Sequence, residues 1–216
     1  MTGEGPARWG ASRTPHVCLV RMKTSVGRSN GFTLLEVLIT VALAAAVVTI
    51  SVPMTRDAID EMRTAAAARH LAERIALARA EAVRRSSAAG LRFIPDGTDY
   101  RLSEHADGND NGLRNADISS GIDPTITHPE RLKSKYSGVR FGLIAGIPDL
   151  DGAMGSEDGV RIGSSRILSL SPDGTATPGT LYVRGTRSQY AIRVLGATGR
   201  TRVFQYDSGT RRWKSR

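Results

Sequence analysis

Glu36 is the only charged residue in an otherwise apolar run, residues 32–52, where its carboxylate needs a cation. As a helix, these 21 residues rise roughly 31 Å at about 1.5 Å per residue, close to the ~30 Å hydrocarbon core of a bilayer. An ionised side chain inside such a segment costs about 2.5–3.5 kcal/mol on insertion scales. The position of Glu36 therefore predicts a function in which a cationic partner neutralises it.

A second group that could do chemistry is the acidic and amide-rich segment 107–112, which begins like a calcium loop. Calcium loops place oxygen ligands at alternate residues and a glycine at the sixth position for a sharp turn. Four residues fit this spacing: Asp107, Asn109, Asn111 and Gly112. The closing glutamate is missing, because Ile118 takes the twelfth position and Asp117 comes one residue early. The segment is therefore interpreted as an Asx-turn loop, with a calcium site that adds Asp117 as the alternative.

Arg200 and Arg202 form the third group, since side chains two residues apart on a strand point to one face. Four other basic residues are candidates for the same patch: Arg193, Arg211, Arg212 and Lys214. Such a patch could bind DNA phosphates. The simpler interpretation is that these side chains are solvated or pair with acidic residues of the segment 96–158. That segment contains twelve acidic and six basic residues.

The sequence carries no convincing enzyme motif. It contains no phosphate-binding Gly-x-x-x-x-Gly-Lys loop and no His-Glu-x-x-His metal helix. Its one match to the Gly-x-Ser-x-Gly elbow, residues 27–31, lies in the basic flank before the apolar run and follows no predicted strand. The four histidines are scattered, and we predict that His105 and His128 lie in solvated loops and that His70 is an ordinary helix residue. We therefore expect no enzyme and no catalytic residue.

The elements that position these groups begin with a basic flank, Arg21, Lys23 and Arg28, which predicts a cytoplasmic N-terminus. A secretory signal or a plain signal anchor shares this layout. The apolar run continues into Pro53 and then an alanine-rich segment with an apolar stripe at helical spacing, which predicts a face that packs on a folded domain. The stripe comprises Ile59, Met62, Ala66, Leu71, Ile75, Ala78 and Ala82.

Short alternating runs separated by turn residues replace the helix pattern after Gly90. They predict strands at 91–94, 100–102, 139–143, 167–170, 181–183, 190–194 and 202–206. The expected fold is α+β, with a long N-terminal helix packed on an antiparallel sheet. The expected organisation is a leader (1–31), a membrane and assembly helix (32–53), an amphipathic helix (54–89) and a β-rich domain (90–216).

The segment Gly31-Phe32-Thr33-Leu34-Leu35-Glu36 resembles the prepilin signature of the type IV pilins and type II secretion pseudopilins. The resemblance implies that prepilin peptidase cuts after Gly31 and that the new N-terminus, Phe32, becomes N-methylated. It also implies that Glu36 meets the N-terminal amine of a neighbouring subunit during assembly. Pro53 resembles the proline at which helices of this family are kinked. A start at Met22 would give a compact leader, so residues 1–21 and the only cysteine, Cys18, are expected to be dispensable.

Residues 168–175 and 199–203 resemble the GspH/FimT branch of these proteins, with the segment 103–135 as the least constrained loop. The resemblance implies a single-pass inner-membrane protein with a periplasmic domain, a pilin-like fold and a structural role without a cofactor. Its implied partners are other major and minor pseudopilins, prepilin peptidase and the inner-membrane assembly platform. The alternative is a FimT-like minor pilin that contacts DNA through Arg200 and Arg202 during natural transformation.

Overall fold

The computed structural model describes residues 31–216, which fall into two compact units, 31–45 and Ala46–Arg216. Helix α1 comprises Leu34–Arg85. Thr33 caps it, since the Thr33 hydroxyl accepts the Glu36 N–H at 3.2 Å and its carbonyl accepts the Val37 N–H. The helix ends at Arg85, and the next residue, Ser86, has a positive φ of 54°.

Within the first unit, the apolar side chains of α1 are exposed, including Leu34, Leu35 and Leu38. Among the described residues, α1 is the only helix that is long and apolar enough to cross a membrane. This agrees with the span expected from residues 32–52.

In the second unit, the small and apolar face of α1 is buried. Its fully buried members include three alanines and one leucine: Ala67, Ala68, Leu71 and Ala82. Ile75 and Ala78 continue the stripe, so its predicted C-terminal half is confirmed. The N-terminal half of the predicted stripe is wrong, because Ile59 is 39% and Met62 72% exposed. Asp60 and Thr64 occupy the corresponding positions of the domain-facing side instead.

The domain contains two antiparallel sheets where the sequence predicted one. The first has the order β3-β2-β1-β6, and the second has the order β10-β9-β8-β7-β4, with β5 paired to β7. The strands are β1 (Ala89–Asp96), β2 (Asp99–Ala106), β3 (Thr125–Arg131), β4 (Arg140–Phe141), β5 (Val160–Ile162), β6 (Ile167–Leu170), β7 (Gly179–Arg184), β8 (Gln189–Val194), β9 (Thr201–Asp207) and β10 (Arg212–Ser215). Two short helices, α2 (Asn115–Ser120) and α3 (Leu132–Lys135), complete the fold.

The predicted strands 91–94 and 100–102 are confirmed as parts of β1 and β2, which form a hairpin paired from Ala89↔Ala106 to Asp96↔Asp99 around Gly97 and Thr98. Gly97 has a φ of 66°, the left-handed conformation that glycine adopts without a Cβ penalty. The four later strand predictions correspond to β6, β7, β8 and β9. The predicted strand at 139–143 is much shorter, because only Arg140 and Phe141 pair with β7.

The segment 103–135 is not the loop that was predicted, since it contains the end of β2, α2, β3 and α3. Strand β3 was not predicted, because its sequence lacks alternating apolar residues and contains Pro129. It is an edge strand that pairs only with β2, the place where a sheet tolerates proline. Its exposed side chains contribute little to the core.

One core joins α1 to both sheets. Its members include Leu71 and Ile75 of α1, Phe93 of β1, Leu168 of β6 and Ile192 of β8. A smaller cluster on the second sheet contains Tyr182 and Ala191, with Phe204 and Trp213 packed against it. Tyr182 alternates with Leu181 and Val183 of the main core, so the second sheet buries side chains on both faces.

Candidate functional site

The predicted cleavage position lies just before α1. Gly31 and Phe32 are outside the helix, Phe32 is 78% exposed, and a Cβ on Gly31 would have no neighbour within 4 Å among the described atoms. A peptidase requires an accessible, non-helical bond, and the bond between these residues meets that requirement. Cleavage and N-methylation stay predictions.

Glu36 lies in the first turn of α1, where a negative charge complements the positive end of the helix dipole. Its own backbone N–H donates to the hydroxyl of Thr33, which caps the start of the helix. Within residues 31–216, the Glu36 carboxylate makes no ion pair. The side chain is exposed, so it is accessible to a cation from outside the chain.

Pro53 lies inside α1, and helix continues on both sides of it. Ser51 and Thr55 flank Pro53, and their hydroxyls donate to the carbonyls of Val47 and Ser51 at 2.8 and 2.9 Å. Such back-bonding by serine and threonine often accompanies helix bending. A kink at Pro53 stays a prediction.

Asp60, which sequence reasoning missed, connects α1 to the turn between β7 and β8. Its carboxylate accepts the backbone N–H groups of Thr186 (2.7 Å), Arg187 (3.0 Å) and Ser188 (3.0 Å). A Cβ on Gly185 would lie 2.4 Å from the same carboxylate, so only glycine fits there. Burial alone would raise the pKa of Asp60, but the three N–H bonds outweigh it and lower the pKa below 3.8.

A second polar contact joins α1 to the first sheet. Arg74 lies 2.6 Å from Glu104 of β2 and 3.6 Å from Glu130 of β3, and both Arg74 and Glu104 are largely buried. The closer contact is a charge contact and not a well-aligned hydrogen bond, since its two atoms do not meet hydrogen-bond geometry. His70, one turn earlier, packs against Tyr136 with ring centroids 5.8 Å apart.

The Asp107 segment folds as an Asx-turn loop. The Asp107 carboxylate accepts the N–H groups of Asn109 (3.1 Å) and Gly112 (2.6 Å), and the Asp123 carboxylate accepts those of Gly108 and Arg114. These N–H groups occupy oxygens that a cation would need. In the part of the chain that is described, no three acidic or histidine side chains converge as a metal site. Asn109 and Asn111 are exposed, Asp117 lies in α2, and calcium stays a prediction.

Arg200 and Arg202 are both exposed, and neither guanidinium has a hydrogen bond or ion pair within the described chain. Arg202 lies opposite Arg193 in the β8–β9 pair. Arg200 precedes β9 and lines a groove of about 700 Å³ that also contains Arg79 and Arg84 of α1. Among the other predicted patch residues, Arg193 pairs with Asp151 and Lys214 with Asp207, while Arg211 and Arg212 are exposed.

The prediction that His105 is a solvated loop residue is wrong. His105 lies on β2, is 3% exposed, and has Nε2 2.9 Å from the hydroxyl of Ser103. Burial lowers the pKa of His105 and keeps it neutral at pH 7. The pair resembles a nucleophile and its base, but Ser103 is fully buried, so no substrate reaches it. His128 is exposed, as expected, but lies on β3.

A long N-terminal helix with an exposed apolar start, packed farther along on antiparallel sheets, defines the class of pilin-like proteins. The family model of the type II transport protein GspH matches residues 67–199, more than half of the chain. The chain therefore belongs to the GspH family. The model of the prokaryotic N-terminal methylation motif matches residues 27–52. No curated protein and no solved structure gives a significant match.

Proposed function

We propose that this chain is a minor pseudopilin of a type II secretion system. Prepilin peptidase cuts it between Gly31 and Phe32, Phe32 is N-methylated, and the apolar helix then packs into the periplasmic pseudopilus. The observation that supports this proposal is that α1 carries the end of the methylation motif and also supplies part of the GspH core. One helix thus serves both as the assembly element and as a structural part of the domain.

Glu36 has a specific task in this proposal. The exposed Leu34, Leu35 and Leu38 around it are apolar side chains that bilayer or neighbouring helices would cover. A carboxylate in those surroundings is costly unless it is neutralised. The methylated amine of Phe32 on a neighbouring subunit supplies the cation, so the pair sets the register of one subunit against the next.

The proposed location is the inner membrane, crossed once by the first part of α1, with the residues beyond it in the periplasm. The basic flank of Arg21, Lys23 and Arg28 favours retention of the N-terminus in the cytoplasm. The proposed partners are other major and minor pseudopilins, prepilin peptidase and the inner-membrane assembly platform. The role is structural and requires no catalytic residue or cofactor.

A second candidate function is that of a FimT-like minor pilin that binds DNA during uptake. It is favoured by the exposed Arg200 and Arg202, which have no acidic partner within residues 31–216. The neighbouring Arg79 extends the positive charge along the groove beside Arg200, whereas Arg84, which also lines the groove, is paired with Glu81. Phosphate contacts by such side chains would be independent of sequence and sensitive to salt.

The deciding experiment is a deletion strain assayed in parallel for secreted enzyme activity and for uptake of labelled DNA. We expect the deletion to abolish secretion, wild-type protein to restore it, and Glu36→Ala to leave it abolished. Glu73→Ala is the matched control, because it removes an exposed helix carboxylate outside the apolar segment. Full rescue by Glu36→Ala would contradict the assembly role, and loss of DNA uptake with normal secretion would favour the pilus function.

A further inference from the structure

A cleft of about 380 Å³ with both polar and apolar lining lies between the β1–β2 turn and the neighbouring edge of the second sheet. Its lining includes Gly97 and Thr98 of the turn, Tyr100 of β2, Arg140 of β4 and Arg184 of β7. Neither the assembly helix nor the Arg200 groove contributes to it. Its volume is near the lower end of the roughly 300–1,000 Å³ that ligand sites occupy, so it fits one or two side chains.

Two arginines, Arg140 and Arg184, meet at this cleft. Arg140 and Arg184 are direct partners in the β4–β7 pair, and like charges directly opposite each other on adjacent strands are destabilising. Within the described residues, neither makes an ion pair. Burial, and then the charge of Arg140, lower the pKa of Arg184, while Glu157 opposes them. The positive charge of the two arginines is therefore offset only in part, by Glu157, which forms no ion pair with either of them.

Arg184 also has an unused donor. Its Nη1 donates to the Leu143 carbonyl at 3.1 Å, but its buried Nε has no acceptor in the described part of the chain. A buried donor without an acceptor is destabilising. An oxygen ligand beside Arg184 would relieve both this defect and the repulsion from Arg140.

The opposite wall of the cleft is already neutralised. Tyr100 donates its hydroxyl hydrogen to Asp158 at 2.6 Å, and Arg166 donates to the Tyr100 oxygen at 2.5 Å and pairs with Asp158 at 3.3 Å. The guanidinium of Arg166 also lies over the Tyr100 ring, 5.1 Å from its centroid. Asp158 neutralises Arg166, so among the described lining residues the positive charge without an ion-pair partner resides on Arg140 and Arg184.

The remaining charges select the ligand. Glu157, an exposed residue of the lining, leaves the Arg140–Arg184 pair with a net surplus of one positive charge, which matches a carboxylate better than a phosphate. Its negative charge also repels a polyanion such as DNA. The exposed Pro95 supplies apolar lining that suits the carbon atoms that flank a carboxylate in a protein segment.

We propose that this cleft binds an acidic segment of a partner protein subunit, with a carboxylate between Arg140 and Arg184. The proposal rests on the proposed function to the extent that an assembling subunit has protein neighbours. Planar guanidinium groups recognise carboxylates through paired N–H bonds, which gives such a contact direction as well as charge.

The test measures fluorescence anisotropy of a labelled short peptide that alternates leucine and aspartate, added to full-length protein in detergent. We expect saturable binding, weakened about tenfold or more by Arg140→Gln or Arg184→Gln. Arg212→Gln, which removes an exposed arginine of β10, should leave affinity unchanged. Glu157→Gln should tighten binding several-fold, a gain that a misfolded variant cannot imitate.

The proposal fails if wild-type protein does not bind the peptide, or if a peptide with asparagine in place of aspartate binds equally well. Equal competition by inorganic phosphate would identify a general anion site and would also overturn it. Circular dichroism of each variant separates loss of binding from loss of fold, and Arg140→Gln keeps the test valid if Arg184→Gln does not fold. Because this assay involves no secretion, its failure is distinguishable from failure of the proposed function.

Discussion

The carboxylate of Asp60 accepts the backbone N–H of Thr186 at 2.7 Å, across 126 residues of sequence. With the adjacent bonds from Arg187 and Ser188, it holds the β7–β8 turn against α1. Asp60 is a polar residue on the side of α1 that faces the domain, and these bonds attach the helix to the β7–β8 turn at that position.

We expect Asp60→Ala to lower the free energy of unfolding by about 1–3 kcal/mol, because it leaves N–H groups without their charged acceptor. Urea unfolding followed by circular dichroism measures this. Asp57→Ala is the matched control, since Asp57 is half exposed and makes one ion pair, with Arg187. Exposed pairs contribute about 0.2–1 kcal/mol, so the two variants should differ clearly, and equal losses would contradict the role of Asp60.

The same residue predicts a pH dependence. The pKa of Asp60 is lower in the folded protein than its ordinary value of 3.8, so the unfolded chain binds the proton more tightly. The stabilisation is therefore complete well above pH 3.8 and is lost as pH falls through the folded pKa. Unfolding curves of wild type and Asp60→Asn should converge on acidification, and a constant difference across pH would refute this account.

The loop at Asp107 gives a prediction about metal. Asp107 is 8% exposed and both its oxygens accept backbone N–H groups, so Asp107→Ala should destabilise the domain by about 1–3 kcal/mol. Since those bonds need no metal, neither millimolar calcium nor a chelator should change the melting temperature of wild type. A rise with calcium that is lost in Asp107→Ala would instead support the calcium site.

The DNA-binding alternative makes a prediction that depends on salt. If Arg200 and Arg202 each contact a phosphate, replacing both with alanine should reduce the slope of log affinity against log salt by roughly 1.8. Mobility shifts of duplex DNA with detergent-solubilised protein measure this, and the exposed residues Arg114 and Lys133, which lie outside the predicted patch, provide a control double variant. Unchanged slopes would remove these two residues from any DNA site.

Sequence patterns predicted the elements whose signals are local. The apolar spacing of Leu71, Ile75, Ala78 and Ala82 repeats within a few turns, and the β1–β2 hairpin has its turn residues between two apolar runs. The prepilin segment at Gly31 to Glu36 is likewise contiguous. Each of these features needs only neighbours along the chain.

The features that escaped prediction depend on partners far along the chain. The sequence around Asp60 suggests a solvated helix residue, because its contact with the β7–β8 turn is not visible in the local pattern. His105 likewise suggests a loop residue, because its strand β2 pairs with β3, which lacks a strand pattern. The cleft arginines Arg140 and Arg184 are 44 positions apart and meet only through strand pairing. No local periodicity encodes such tertiary juxtapositions.

The buried alanines of α1 restrict how this helix can change over evolutionary time. Ala67, Ala68 and Ala82 have no exposed surface, so a larger side chain there has to displace the sheets beneath it. Overpacking of this kind typically costs 1–3 kcal/mol. Exposed Leu77 and Val83 on the same helix are free of that restriction. Sequence divergence among functional variants should therefore concentrate on the solvent-facing side of the helix, and its alanine face should accept almost no increase in volume.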